Sequence, residues 1–180
     1  MKVLILDTET TGLIGNHSIA IEKQPEVIEY FAHIVDLGTG KTSKKINTLI
    51  KPRIFPMSVK TITETKTKIT NDMLRQAPSF RDVSGAIKAQ IESAPMIIAH
   101  NAAFDREMLG LEYERLEINI KWPRCICTVE QTLALKGYRL SLTNLHLALF
   151  DKAFPEAHRA ENDVKALTKC CVELFKRSML

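Results

Sequence analysis

The sequence predicts an α/β fold in which a mixed sheet is laid down early and covered by helices. Three observations carry this. Residues 1–50 hold three strand-like runs, whereas residues 79–177 alternate amphipathic helical stretches with short apolar runs. Strands first, then helices and strands in alternation, is the pattern of a mixed sheet with helices on its faces. The third is size: 180 residues with 45% hydrophobic and 26% charged side chains are a globular composition of about one domain. Neither linker, repeat nor low-complexity segment interrupts the chain, so 1–180 reads as a single domain.

The elements follow in order. Val3–Asp7 is a short apolar run without polar alternation, as in a strand covered on both faces. A polar loop runs from Gly12 to Pro25, broken by Gly12 and Gly15. Val27–Asp36 and Lys44–Ile50 read as a hairpin across Gly38-Thr39-Gly40. Lys51–Thr70, rich in Thr and Lys, reads mostly as loop. Ser79–Ser93 spaces Val83, Ile87, Ile91 and Ala94 as one helical stripe, ended by Pro95. Met96–Ala99 is a second short apolar strand, and Ala102–Leu116 a helix with Asn101 as the expected side-chain cap. Arg124–Thr128 reads as a strand, Val129–Lys136 as a helix, and Ser141–Phe150 as a helix capped by Ser141. The last helix, Ala160–Arg177, aligns Val164, Leu167, Cys171 and Leu174 on one face.

Several classes are excluded. No apolar run approaches the ~18 residues of a membrane span, and Asp7 and Glu9 interrupt any signal-like start. A cytoplasmic protein without membrane attachment is expected. The net charge of +4 permits a polyanionic partner. Cys125, Cys127, Cys170 and Cys171 match neither zinc nor redox spacing and read as buried free thiols. Gly38-Thr39-Gly40-Lys41-Thr42 imitates the end of a phosphate-binding loop. That motif needs glycine where Val35 stands, and a helix rather than a strand afterwards.

The chemistry resides in acids. Asp7 and Glu9 alternate onto one face at a strand end, some ~6–7 Å apart, where they repel unless a cation lies between them. Asp105 enters the next helix on the face of Met108 and Leu109, so it points inward and needs a partner or a metal. Asp163 lies on the packed stripe of the last helix, and His158 sits in the loop before it, after Pro155. Singly, each has an ordinary explanation as a strand end, a helix-dipole acid or a surface histidine. Together, four acids and a histidine at strand ends and helix starts converge on one sheet edge, where ligands of α/β proteins bind. A divalent-metal site is the economical reading.

Asp7-Thr8-Glu9-Thr10-Thr11-Gly12, His100-Asn101-Ala102-Ala103-Phe104-Asp105 and His158-Arg159-Ala160-Glu161-Asn162-Asp163 resemble the three motifs of the DEDDh (DnaQ-like) 3′–5′ exonucleases, in the family's order. Ile69-Thr70-Asn71-Asp72-Met73-Leu74 resembles its helix entry before the second motif. The likeness extends over about the whole chain and is greatest to the proofreading epsilon subunits of bacterial DNA polymerase III. It implies a ribonuclease-H-like fold, a mixed five-stranded sheet with helices on both faces and the second strand antiparallel to the rest.

By that resemblance Asp7, Glu9, Asp105 and Asp163 hold two Mg²⁺ or Mn²⁺ ions, and His158 is the general base. Thr10, Thr11, Gly12 and Leu13 cradle the terminal nucleotide, with Asn101 and Phe104 bordering its sugar and base. The implied activity removes nucleoside 5′-monophosphates from the 3′ end of single-stranded DNA. Imidazole, ordinarily titrating near ~6.5, suits the proton transfer. A DNA polymerase or replication complex is the implied partner. Leu13, Phe104 and Ile14 offer apolar surface for stacking, and Lys60, Lys66 and Lys68 offer charge to phosphates. The alternatives are an exoribonuclease and a catalytically silent nucleic-acid-binding module. Two departures stand out. Lys66-Thr67-Lys68 replaces a stretch where epsilon-like members often carry a histidine, so grip is expected to rest on charge. The chain also ends with its last helix, without the polymerase-binding tail, so stable docking to that polymerase is not expected.

Overall fold

The computed structural model describes residues 1–15, 18–65, 67–155 and 157–180. Five strands form one sheet in the order β3-β2-β1-β4-β5. These are β1 (Lys2–Thr10), β2 (Val27–Asp36), β3 (Thr42–Leu49), β4 (Ile97–Ala99) and β5 (Cys125–Cys127). β2 is antiparallel to β1 and β3, while β4 is parallel to β1 and to β5. The carboxyl ends of β1, β3, β4 and β5 therefore share one edge of the sheet with the start of β2.

Helices cover both faces. In β1 the even side chains Leu4 and Leu6 face a core built with α3 (Phe80–Glu92) and α4 (Ala102–Arg115), through Ile87, Ile91, Met108 and Tyr113. The odd side chains Val3 and Ile5 face α7 (Ala160–Lys176), through Val164, Leu167 and Cys171. This explains the lack of polar alternation: a strand with a helix on either side buries both sets. β1 runs three residues beyond the expected Asp7, so Glu9 is paired in the ladder, opposite Glu29 of β2.

The segment Lys51–Thr70, expected as mostly loop, contains one short helix, α1 (Val59–Glu64), and a second, α2 (Asn71–Leu74), follows it where the resemblance implied a helix entry. Both are set by caps: the Ser58 and Thr70 side chains accept from the backbone N–H groups of Thr61 and Met73. Threonine-rich sequence has little helix propensity of its own. Packing decides instead, because Met57, Ile69 and Leu74 bury against Ile28.

Asn101 precedes α4 as expected, but its side chain caps nothing. It takes a left-handed conformation (φ 67°), which Asn tolerates, and its carbonyl accepts from Phe104. Beyond β5, α5 (Thr128–Lys136) and α6 (Leu142–Phe150) complete the chain before α7, and Ser141 caps α6 as expected. Gly38–Gly40 is the hairpin turn, with Asp36 accepting from Gly38 N–H and Gly40 at φ 71°. The cysteines are free; Cys170 and Cys171 are buried, whereas Cys125 and Cys127 are only half-buried.

At its far end α4 pins the loop that approaches the site edge. The buried Arg115 guanidinium donates to the carbonyls of Ile21, Gln24 and Pro25, and Glu112 accepts from Val27 N–H. The next residue, Glu26, exchanges two hydrogen bonds with Thr11. A buried charge thus fixes backbone polar groups that would otherwise lack partners.

Candidate metal centre and nucleotide cleft

Strand alternation continues to the end of β1 and places Asp7 and Glu9 on the α7 face. There they meet Asp163, from the first turn of α7, and ligand oxygens of these three residues lie within 4.8 Å of one another. Asp105 approaches from the opposite face, through the even-numbered Thr8. Its Oδ1 accepts from the backbone N–H and the hydroxyl of Thr8, each at 2.9 Å. Asp105 lies outside the 4.8 Å group. Its charge nevertheless reaches that group, because after burial itself Asp105 is the largest cause of the raised pKa of Asp7.

Every carboxyl of the set is pushed up. Burial and the surrounding acids hold Asp7 well above the usual carboxylate range. Burial, then Asp163, Glu29 and Asp105, raise Glu9 to about 8, against the opposing influence of Arg159. Asp105 is raised to about 7 by burial, despite its bonds from Thr8. Asp163 is raised by burial and partly offset by the N–H groups of His158 and Arg159, which donate to its Oδ2 at 2.9 and 3.2 Å. Such uncompensated acids fit a hard cation. Their donors are all oxygen, as Mg²⁺ and Mn²⁺ prefer.

His158 lies in the loop ahead of α7, exposed and at φ 72°. The following residue is one that the sequence reading missed. Arg159 forks onto Glu29, with Nε and Nη2 at 2.8–3.2 Å from its carboxylate, and Ala160 N–H donates to the same group. Glu29 is 1% exposed. A signal was available: one acid in the apolar run of β2 needs a cationic partner, and the half-buried arginine beside the motif histidine supplies it.

Beside the carboxylates a cleft of about 510 Å³ is lined by Thr10, Thr11, Gly12, Leu13 and Phe104, facing Glu64, Thr65 and Thr67 of the α1 end. The Thr10 hydroxyl bonds the Gly12 carbonyl at 2.7 Å and holds the turn. Leu13 is 83% exposed at the cleft mouth. Of the residues expected at the substrate, Asn101 does not line this cleft. Ile14 is half-buried and packs partly on the core. Lys60 pairs with Glu64 across 3.9 Å, and Lys66 lies outside the described residues. His100 hydrogen-bonds the Thr128 hydroxyl, and burial lowers its pKa to about 4, so it stays neutral.

This sheet order, with acids gathered at the carboxyl end of the central strand β1, is that of a ribonuclease-H-like fold. The chain belongs to the exonuclease family RNase_T, which it matches over residues 4–171, and so to the DEDDh group that its motifs resemble. It is 30% identical over 135 residues to the DNA polymerase III subunit epsilon of Buchnera aphidicola, covering 74% of this chain and 54% of that one. To the corresponding subunit of Treponema pallidum it is 31% identical, covering 94% and 72%. The chain therefore spans only about half of the Buchnera relative's length. Among solved structures it superposes on the nuclease domain of 3′hExo, a DEDDh family member bound to rAMP. The TM-score is 0.76 at 16% identity, over 98% of this chain and 92% of that one. Cell-death related nuclease 4 gives a TM-score of 0.77 at 17% identity, over 98% and 64%. At such identities the likeness is one of fold.

Proposed function

We propose that the chain is a metal-dependent 3′–5′ exonuclease acting on single-stranded DNA, with frayed or mismatched duplex ends as further substrates. The observation that carries this reading is the junction of two features: oxygens of Asp7, Glu9 and Asp163 within 4.8 Å of one another, beside a cleft of nucleotide size. A silent binding module has no use for uncompensated acids next to phosphate.

Asp7, Glu9, Asp105 and Asp163 would hold two divalent ions, with Asp105 oriented by Thr8. When bound, such ions neutralise the scissile phosphate and make water more acidic. The chain's own residues do the rest. Thr10–Leu13 and Phe104 grip the terminal sugar and base, and the exposed Leu13 meets the base by apolar contact. His158, on its exposed loop, takes the proton of the attacking water. The departing 3′ oxygen leaves on the shortened strand, and a nucleoside 5′-monophosphate is released. Pairing a closed acid set with a cleft for one nucleotide favours ends over internal bonds.

An exoribonuclease is the second reading. The structural neighbours include a 3′-exonuclease described in 3′-end recognition of histone mRNA stem-loop, with a TM-score of 0.78 at 16% identity, covering 98% of this chain and 64% of that one. The polymerase III relatives favour DNA and a replication polymerase as partner, in the cytoplasm. No described helix is long and apolar enough to cross a membrane.

Digestion of matched 3′- and 5′-labelled DNA and RNA oligomers, with Mg²⁺, Mn²⁺ or EDTA, tests the proposal. Stepwise release of the 3′ label from DNA, stopped by EDTA, is expected. Faster digestion of RNA would establish the second reading, and cleavage indifferent to EDTA would contradict both.

A further inference from the structure

We propose that Arg159, clamped by Glu29, is a positioning residue for His158; this rests on the reading of His158 as the proton acceptor. The loop ahead of α7 has to present an exposed imidazole in one place while its backbone is left-handed at φ 72°. Such a conformation is uncommon for a residue with a side chain, although His adopts it more readily than most, and it is steadied where the surroundings hold it. Here the restraint comes from both sides. Asp163 Oδ2 accepts from the N–H groups of His158 and Arg159. The Arg159 side chain then anchors the other side of the same peptide to the sheet, through its fork on Glu29.

The anchor is rigid for three reasons. Glu29 is 1% exposed and sits near the start of β2, paired with Glu9 on one side and Leu49 on the other. A planar guanidinium on a carboxylate fixes orientation as well as distance. Ala160 N–H, on the other side of Arg159, also binds Glu29 at 3.0 Å. The one cationic side chain next to the proton acceptor is thus committed to the sheet, on a strand that also borders the acids. Lysine would keep the charge but lose the fork.

A double-mutant cycle tests this. Arg159→Lys should lower kcat on a DNA oligomer by on the order of 10-fold at nearly unchanged KM, since misplacing a reacting group acts on the chemical step. Glu29→Gln should act in the same direction. Built into His158→Ala, Arg159→Lys should lower the residual kcat by less than about 2-fold, because the group it positions is gone. Equal losses in both backgrounds, or wild-type kcat for Arg159→Lys, would overturn the positioning role and leave the exonuclease reading standing. Wild-type kcat for His158→Ala would overturn the role of the histidine, and the positioning role with it. Thermal melting of each variant shows that it is folded; Arg159→Lys and Glu29→Gln keep the buried site polar if Arg159→Ala fails to fold.

Discussion

Asp7 and Glu9 are held in a protonation state that they would not choose in water. Burial and the neighbouring acids raise both, and Glu9 reaches about 8. Replacing one acid of this set by its amide should stabilise the protein when no cation is present, because the amide carries no charge to suppress. Asp7→Asn is expected to raise the stability of the EDTA-treated protein at pH 8 by about 1–2 kcal/mol while abolishing digestion, the usual opposition of stability and function at an active site. Melting curves in EDTA check it. Thr8 acts on Asp105 alone: Thr8→Val deletes the hydroxyl donor at 2.9 Å and keeps the shape. A cost of about 1 kcal/mol in stability, with weaker Mn²⁺ binding, is the expected result.

At the scale of elements, the site is a consequence of pleat and periodicity. β1 sends its odd side chains to α7 and its even ones to α4, so the three motifs meet across one strand from two sides. Much of this was legible in the sequence, because strands and amphipathic helices advertise their buried faces. Asp105 and Asp163 were placed by the stripes they share with Met108 and Leu167. What stayed hidden depends on packing between distant segments. α1 arises from its Ser58 cap and from Ile62 packing on the Ile28 cluster, and threonine-rich sequence gives no periodic signal for it. Asn101 looked like a side-chain cap because a left-handed backbone cannot be read from composition. The Glu29–Arg159 fork joins residues 130 apart, and local spacing is silent about such pairs. α3 was legible for the opposite reason: its signals are local. Ser79 and Asp82 form a reciprocal capping box. Ser79→Ala should cost about 1 kcal/mol in thermal melts and leave exonuclease rates unchanged, since α3 lies away from the carboxylates.

For the molecule as a whole, the raised acids set the pH dependence of folding. Glu9 and Asp105, at about 8 and about 7 in the folded state, bind protons that they release when unfolded, where carboxyls ordinarily titrate near ~4. The folded metal-free protein therefore holds more protons, and stability falls as pH rises through those folded values. Acids with the opposite shift, such as Asp82 and Glu161, weaken the fold only on acidification below the ordinary range and stay out of this window. His100 and His33, whose folded values burial lowers, oppose this drop below pH ~6.5. The midpoint in EDTA should therefore drop most clearly between pH ~6.5 and ~8.5, and saturating Mg²⁺ should flatten the drop, because a ligand of the folded state stabilises it. The same chemistry makes cation binding the most direct test. Calorimetric titration of Mn²⁺ into the metal-free protein should show two ions per chain, with binding strongly weakened in Asp163→Asn. Absence of saturable binding, or binding that Asp163→Asn leaves untouched, would contradict the account.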